Sequence, residues 1–285
     1  MSDANRSGDA NRPGDANRSG DANRSGDAKG PGPSASAAIG AFVIGDEILV
    51  GKRVDKHFSF LIGALARRGL RLSWCEYLGD EQALLTAAFA RSFSSGDIVF
   101  SFGGIGATPD DLTRECAALA LGVPLELHPE AEREIRLRFG GQLTAQRLKM
   151  GEFPAGADII PNPVNRIAGF SIRDHHFVPG FPQMAAPMVE WVLDTHYAGL
   201  AGRDTWEESS IRVFEAGEGQ LMPIMERVSA SLVRAKLFSL PTIAEAPARR
   251  NVELGVRGEA AEVSAAMSEI RAWVRSAGFP FEETR

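Results

Sequence analysis

Apolar and polar residues follow two alternating periods along the chain from Ala38 onward. The run 39–45 is short, apolar and bounded by glycine, which is typical of a buried strand. The stretch 55–68 then carries apolar residues at helical spacing and ends before Gly69, a residue type that often follows a helix. The same reasoning predicts strands at 70–78, 97–102 and 176–182, and helices at 81–92, 110–121, 129–139 and 184–197.

Alternating strands and helices with short connections indicate an α/β fold with a mostly parallel sheet. A hinge is predicted at 199–204. Beyond the hinge the order becomes β-α-β-β-α, which predicts a small α+β carboxy-terminal domain at 205–285. Its strands are expected at 210–215, 237–242 and 252–257, and its helices at 220–233 and 260–276.

The first 37 residues differ in composition from the rest of the chain. A six-residue repeat, Ser-Gly-Asp-Ala-Asn-Arg, begins at Ser7, and residues 1–30 contain no Val, Ile, Leu or aromatic residue. Such a segment cannot bury enough apolar surface to offset chain entropy. A disordered tail is therefore predicted at 1–37, followed by a folded domain at 38–200 and the carboxy-terminal domain.

Charge and composition narrow the classes of partner. The net charge is -6 at pH 7, which argues against nucleic acids and anionic membranes as partners. No apolar run approaches the ~20 residues that span a bilayer, and no signal pattern opens the chain, so a cytoplasmic location is expected. Cys75 and Cys116 lie in apolar segments without metal-binding spacing, so buried, reduced thiols are expected.

The strand at 97–102 runs directly into a glycine-rich loop. Gly103, Gly104 and Gly106 fall within four positions of each other, and Thr108 follows. Glycines allow backbone N–H groups to approach an anion, and the helix N-terminus behind the loop adds unpaired donors and a partial positive charge. The loop therefore predicts a cradle for phosphate groups. A tight turn before a well-capped helix is the alternative.

Acidic residues follow three successive strands of the predicted sheet. Glu47 follows the first strand, Asp80 the second, and Asp110 and Asp111 the third. Taken singly, each could be a solvated loop acid or a helix cap. Because the carboxyl ends of parallel strands share one rim, we expect the acids to meet beside the glycine loop. Carboxylates beside a phosphate cradle are what metal-assisted phosphoanhydride chemistry requires.

The order and spacing of these motifs resemble a known family. The motifs are Gly45-x-Glu47-Ile48-Leu49-x-Gly51, then Gly79-Asp80, then Gly103-Gly104-Ile105-Gly106-x-Thr108-x-Asp110-Asp111-Leu112-Thr113, and later Pro161-Asn162-Pro163 and Val178-Pro179-Gly180-x-Pro182-x-x-Met184. They are similar to those of the MoaB/Mog-like molybdopterin-binding domain, and most similar to the amino-terminal domain of the competence/damage-inducible CinA proteins. The resemblance covers about residues 38–197.

The resemblance implies a three-layer α/β/α sandwich that forms a homo-oligomer. It also implies one of three functions. Members of the family bind molybdopterin, adenylylate molybdopterin or, in CinA-like proteins, hydrolyse the pyrophosphate of ADP-ribose or FAD-type dinucleotides. The hydrolysis uses a divalent metal, Mg²⁺ or Co²⁺, and in some cases K⁺. We expect the hydrolase, with a non-catalytic molybdopterin or nucleotide binder and an adenylyltransferase as alternatives.

The resemblance also assigns roles to residues. It implies phosphate binding by Gly103, Gly104, Gly106 and Thr108, metal binding and catalysis by Asp80 and Asp111, and supporting roles for Glu47 and Asp110. His57 stands near a position where many relatives have Asn, so it is either a donor to the ligand or a capped surface histidine. The pair His175-His176 is not expected to bind metal, because adjacent strand residues point to opposite faces.

Overall fold

The computed structural model describes residues 37–200, 206–242 and 250–284. The strands are β1 Ile39–Ile44, β2 Trp74–Leu78, β3 Ile98–Phe102, β4 Leu125–Leu127, β5 Glu152–Pro154, β6 Asp158–Ile160, β7 Gly169–Ile172, β8 His175–Val178, β9 Trp206–Phe214, β10 Ala235–Thr242, β11 Asn251–Glu259 and β12 Phe281–Glu283. The helices are α1 Asp46–Leu49, α2 His57–Ala66, α3 Gln82–Ser95, α4 Thr113–Leu121, α5 Pro129–Phe139, α6 Ala145–Leu148, α7 Pro182–His196, α8 Glu218–Ser231 and α9 Ala260–Ser276. The predicted tail, except Ala37, and most of the predicted hinge lie outside the described residues.

The larger sheet has six strands in the order β2-β1-β3-β8-β7-β6. The first four are parallel to one another, whereas β7 and β6 are antiparallel to their neighbours. The prediction of an α/β fold with a mostly parallel sheet is confirmed. All four parallel strands end at the same rim of the sheet, which places the loops that follow them side by side.

Helices cover both faces of this sheet. Along β1, Phe42 faces α3 and α4 and belongs to a cluster that includes Phe89. Its neighbour Val43 faces the other way and belongs to a second cluster with Leu61 of α2 and Met188 of α7. Alternate side chains of β1 therefore pack into two separate cores, because both faces of a parallel sheet are buried. This is the expected three-layer α/β/α sandwich.

The smaller sheet is antiparallel, with the strand order β10-β11-β9-β12. The helices α8 and α9 pack against it, and the apolar side chains form a third cluster drawn from residues 211–281. The predicted β-α-β-β-α order is confirmed, and β12 adds a strand at the edge. The predicted limits of the domains stay predictions.

The largest correction to the predicted elements lies beside the glycine loop. The helix expected from Asp110 begins at Thr113, so Asp110 and Asp111 belong to the loop and do not form the first turn of α4. The reason is a hydrogen bond from the backbone N–H of Thr113 to the carbonyl of Gly104, which folds the chain back before the helix starts. The strand expected from residue 70 also begins later, at Trp74.

Two expectations from composition concern membrane-spanning helices and the state of the two cysteines. Within the described ranges, none of the helices has both the length and the apolar character needed to cross a bilayer. Cys116 is buried, Cys75 is half-buried, and both are free. Burial raises the pKa of the Cys75 thiol to about 11, so this thiol is protonated at neutral pH.

The two adjacent histidines of β8 are both buried and face opposite cores. His175 forms a hydrogen bond with Ser92 on α3, at 2.9 Å between Nε2 and Oγ. His176 forms hydrogen bonds with Ser171, at 2.8 Å, and with Tyr197, at 2.6 Å. The two rings occupy different faces of the sheet, as expected of adjacent residues on a strand.

Because of the two buried histidines, the free energy of unfolding should decrease as the pH is lowered. Burial lowers the pKa of His175 to about 3, and it holds the pKa of His176 well below its usual range. In the unfolded chain both titrate near pH ~6.5, so below that pH the unfolded state binds more protons. The free energy of unfolding should be constant above pH ~6.5 and fall by about 1.4 kcal/mol per pH unit per histidine below it.

Urea denaturation between pH 7.5 and pH 5 measures this slope. In His175→Gln the slope should be smaller than in the unmodified chain by about 1.4 kcal/mol per pH unit, whatever the absolute stability of the variant. Equal unfolding free energies at pH 7 and pH 5 in the unmodified chain would show that the histidines titrate normally.

Candidate functional site

A polar cavity of about 140 Å³ lies at the rim where the four parallel strands end. Four loops form its wall: 45–51 after β1, 79–81 after β2, 103–112 after β3 and 179–181 after β8. The cavity is lined by Ile44, Gly45, Glu47, Ile48, Arg53, His57, Asp80, Gly103, Gly104, Asp110, Asp111, Gly180 and Phe181. The predicted convergence of three acid-bearing loops on one rim is therefore present, and a fourth loop completes the wall.

The first glycines of the loop adopt a backbone that other residues avoid. Gly103 has φ of 104° and Gly104 has φ of 66°. A Cβ atom on Gly103 would lie 2.3 Å from the carbonyl oxygen of Ile44, and one on Gly104 would lie 2.3 Å from Oγ1 of Thr113. Both conformation and space therefore require glycine at these two positions.

Three carbonyl groups of the loop point into the protein. The hydroxyl of Thr113 donates to the carbonyl of Gly103 at 3.0 Å, and the backbone N–H of Thr113 donates to that of Gly104 at 3.0 Å. The guanidinium of Arg114 donates to the carbonyl of Gly106 at 2.6 Å. Because C=O and N–H point in opposite directions across a trans peptide, the N–H groups that follow these carbonyls are turned the other way.

Four consecutive backbone N–H groups of the loop have no hydrogen-bond acceptor among the described residues. The N–H groups of Gly104, Ile105, Gly106 and Ala107 donate to no acceptor in the part of the chain that the structure describes. Consecutive unpaired N–H groups in a glycine turn form an anion-binding concavity, and the N-terminus of α4 behind them adds further donors. The loop therefore has the geometry of a phosphate cradle.

Asp111 closes the loop upon itself. Its Oδ2 accepts hydrogen bonds from the N–H of Thr108, at 2.8 Å, and from the Thr108 hydroxyl, at 2.5 Å. Gly106 packs against this carboxylate, since an added Cβ would lie 2.5 Å from the same oxygen. Gly106 and Thr108 do not line the cavity, so they shape the loop through Asp111.

Asp80 and Asp46 tie the first two loops together. The N–H of Asp46 donates to Oδ2 of Asp80 at 3.0 Å, and the N–H of Asp80 donates to Oδ1 of Asp46 at 3.3 Å. Burial raises the pKa of Asp80, and the negative charges of Asp46, Glu47 and Asp110 raise it further. A cation at this rim would reverse that effect, because it favours the ionised carboxylate.

His57 forms part of the cavity wall and is buried. Its ring stacks on Phe102 with ring centroids 4.6 Å apart, and Nε2 lies 3.2 Å from the carbonyl oxygen of Gly180. A carbonyl can only accept, so Nε2 carries the proton. Burial lowers the pKa of His57, which keeps the ring neutral at pH 7. The structure thus excludes the surface position that was one of the two expectations.

A capped helix start holds His57 in place. The carboxylate of Asp55 accepts from the N–H of His57, at 2.8 Å, and from that of Phe58, at 3.1 Å. The hydroxyl of Tyr77 on β2 donates to the same carboxylate at 2.8 Å. The edge strand therefore helps to orient the helix that carries the histidine.

The charges of the wall are unbalanced for a phosphate ligand. Four acids line the cavity, whereas Arg53 is its only cationic side chain in the described part of the chain. Within residues 37–200, 206–242 and 250–284, no group of three or more His, Cys, Asp or Glu side chains is arranged to hold a metal ion. The donor set does fit Mg²⁺ in its usual form, held by one or two carboxylates together with the phosphates of a ligand.

Several residues of the site were not predicted from sequence as site residues. Arg53, Gly180 and Phe181 line the cavity, while Thr113 and Arg114 support the loop from below. Gly180 and Thr113 lie within the family motifs, so the motifs themselves could have identified them. Arg53 and Arg114 carry no such signal, because their positions depend on how distant segments pack.

The comparison with known proteins identifies the same part of the chain that carries the site. The family model described as "Probable molybdopterin binding domain" matches residues 40–197. A CinA-like protein of Anaeromyxobacter sp. (strain Fw109-5) is 31% identical over 235 residues, which cover 77% of this chain and 51% of that protein. A CinA-like protein of Citrifermentans bemidjiense is 32% identical over 192 residues, which cover 64% of this chain and 46% of that protein.

A solved structure shows the same architecture. The crystal structure of the protein CinA with unknown function from Thermoplasma acidophilum has a TM-score of 0.52 and 28% identity. The match covers 56% of this chain and 98% of that chain. The chain spans about half the length of the curated relatives that it matches.

Proposed function

The chain belongs to the family of probable molybdopterin-binding domains, and from that membership we propose that its cavity binds a dinucleotide and hydrolyses the pyrophosphate bond. The substrate class is that of ADP-ribose or FAD. The observation that carries the proposal is the run of N–H groups from Gly104 to Ala107, which donate to no acceptor among the described residues. Those of Gly104, Ile105 and Ala107 face away from the buried donors that hold the preceding carbonyls. These groups can bind one phosphate without any change in the backbone.

The acids at the rim suit hydrolysis better than binding alone. A phosphate placed on the loop would lie beside Asp80, Asp110 and Glu47, and a divalent cation would offset their repulsion. Asp80 and Asp111 would hold Mg²⁺ or Co²⁺, which would neutralise phosphate charge and lower the pKa of a water molecule. K⁺ is a second candidate ion for the same site.

Other side chains orient the ligand and receive the proton. Oδ2 of Asp80 accepts from the N–H of Asp46, so Oδ1 would be the atom available either to hold the cation or to accept a proton from the attacking water. Arg53 offers the positive side chain of the wall, and the neutral ring of His57 closes the cavity against Gly180. Attack of water on one phosphorus would break its bond to the bridging oxygen, which leaves with the other phosphate. The products would be two monophosphates, at least one of them a nucleoside monophosphate.

Two other functions would give results different from dinucleotide hydrolysis. A non-catalytic molybdopterin or nucleotide binder would retain its ligand through purification without turnover. A molybdopterin adenylyltransferase would transfer AMP from ATP to a pterin rather than hydrolyse a dinucleotide. Homo-oligomerisation and a cytoplasmic location belong to the same proposal and rest on the resemblance and on composition.

Incubation of the purified chain with ADP-ribose, FAD or NAD and Mg²⁺ or Co²⁺ tests the proposed function. We expect a nucleoside monophosphate from at least one substrate, measured by chromatography, and none from Asp111→Ala. Asp194→Ala is the matched control, since Asp194 is an exposed acid on α7 that pairs with Arg68. The hydrolase proposal fails if no substrate yields a monophosphate, or if Asp111→Ala yields as much as the unmodified chain.

A further inference from the structure

A buried arginine lies beneath the glycine loop and has no assigned role. Arg114, the second residue of α4, is 6% exposed. Its guanidinium donates to the carbonyl of Gly106 at 2.6 Å and also to the carbonyl of Lys149. Its Nε is buried without a hydrogen-bond partner. In the described residues no carboxylate lies within ion-pair distance of it.

The segment that receives the second hydrogen bond also contacts the loop directly. Gln146 on α6 donates to the carbonyl of Ala107, the residue after Gly106. The following turn is anchored in the core of the domain, because Gly151 packs against Ile135 so closely that an added Cβ would lie 3.0 Å from it. We call Arg114 and Gln146 the brace of the loop.

The brace determines where two consecutive peptides point. With the carbonyl of Gly106 held inward by Arg114, the N–H of Ala107 is turned outward. With the carbonyl of Ala107 held by Gln146, the N–H of Thr108 is turned toward Asp111, to which it donates. The far half of the phosphate cradle therefore depends on side chains that touch no ligand.

A buried cation without an ion pair is costly, and the nearby charges of Asp111, Glu152 and Glu115 offset part of that cost by favouring its protonated form. Arg114 stays protonated. It holds the carbonyl of Gly106, and the N–H of Ala107 is the donor end of the same peptide. A phosphate on the loop would accept hydrogen bonds from the oriented N–H groups. The positive charge of the guanidinium behind them would also attract it. Without Arg114 the carbonyls of Gly106 and Lys149 lose a charged donor.

We propose that Arg114, supported by Gln146, is a positioning residue that orients the loop for pyrophosphate and raises its affinity for the anion. The inference rests on the proposed function for its ligand. Its effect is on binding rather than on the chemical step, since the guanidinium lies behind the loop and the rim acids lie in front of it. Loss of such a charged hydrogen bond weakens binding by roughly tenfold or more.

Three variants of the full chain test the brace: Arg114→Met, Arg114→Lys and Arg68→Met. Methionine keeps the length of the side chain without donors or charge, and lysine restores the charge and one donor. Arg68 is the control, because it is a poorly exposed arginine that pairs with Glu190 and Asp194 away from the loop. The probe is inorganic pyrophosphate with Mg²⁺, and binding is measured by calorimetry.

We expect the dissociation constant to rise roughly tenfold or more in Arg114→Met, to recover in part in Arg114→Lys and to stay unchanged in Arg68→Met. With a dinucleotide that turns over, KM should rise by a similar factor while kcat changes less than about threefold. Amide exchange of Thr108, whose N–H donates to Asp111, should accelerate in Arg114→Met alone when it is followed by NMR without ligand.

The outcomes separate this inference from the proposed function. Pyrophosphate binding that is equal in Arg114→Met and the unmodified chain would overturn the inference and leave the proposed function standing. Absence of binding by the unmodified chain would remove the proposed function and the ligand part of the inference together. Unchanged amide exchange in Arg114→Met would overturn the positioning role whatever the ligand result.

Discussion

Gly104→Ala is expected to abolish measurable phosphate binding while leaving the chain folded. Alanine at φ of 66° costs about 1–2 kcal/mol, and its Cβ would lie 2.3 Å from Oγ1 of Thr113. Thr113 is fully buried and its hydroxyl already donates to Gly103, so it cannot move aside without releasing that carbonyl. The peptides that follow Gly103 and Gly104 would rotate, and the cradle would lose at least two aligned donors.

The affinity for pyrophosphate with Mg²⁺ should fall at least about a hundredfold, because each donor aligned to a charged acceptor contributes about 1.5–3 kcal/mol. Calorimetry measures the affinity, and thermal unfolding measures the cost to the fold. Gly122→Ala is the matched control: Gly122 has φ of 68° at the end of α4 but no atom within 4 Å of an added Cβ. It should cost about 1 kcal/mol of stability and leave binding unchanged. Equal affinities in the two variants would show that the loop is not the anion site.

The sheet and its loops could be predicted because their signals are local. The strands β1 and β3 are short apolar runs, and each of the four parallel strands is followed within a few residues by glycine or an acid. The rule that parallel strands share one rim then brings Glu47, Asp80 and the glycine loop together without any knowledge of packing. The family resemblance, confirmed by the match over residues 40–197, rests on the same local motifs.

The supports of the site could not be predicted, because they depend on contacts between distant segments. Arg114 reaches a carbonyl 35 residues away, and Gln146 reaches one 39 residues away. Both belong to amphipathic stretches in which a charged or amide side chain is ordinarily assigned to solvent. The burial of Arg114 follows from the path of residues 144–151 across the loop, which no periodicity in the sequence indicates.

The start of α4 shows how a loop can overrule helix signals. Two aspartates after a Thr-Pro pair are typical of a helix N-terminus, and helix was expected from Asp110. Instead Asp111 accepts from Thr108 and closes the loop, while the first helical residue, Thr113, donates to Gly104. The acids therefore lie at the cavity rather than along the helix, which is where chemistry at the rim needs them.

Asp80→Asn is expected to stop hydrolysis without weakening the cradle. Burial raises the pKa of Asp80, and the negative charges of Asp46, Glu47 and Asp110 nearby raise it further. Removing the carboxylate takes away a metal ligand and a proton acceptor, so turnover should fall at least about a hundredfold. In the absence of metal, pyrophosphate should bind the variant as tightly as the unmodified chain or more tightly, because one negative charge has left the wall.

The neighbouring acid supplies the control, and pH supplies a second readout. Glu81→Gln makes the same change of charge one residue later, at an exposed position whose side chain caps no helix, so turnover should be unchanged. In the unmodified, metal-loaded chain the rate should fall as pH falls through the pKa of Asp80, since only the ionised form holds the cation and accepts a proton. Asp46→Asn removes one of the charges that raise this pKa, so the acid limb of the pH–rate profile should move to lower pH. An acid limb that stays in place in Asp46→Asn, or turnover that survives in Asp80→Asn, would assign the proton transfer to another group at the rim.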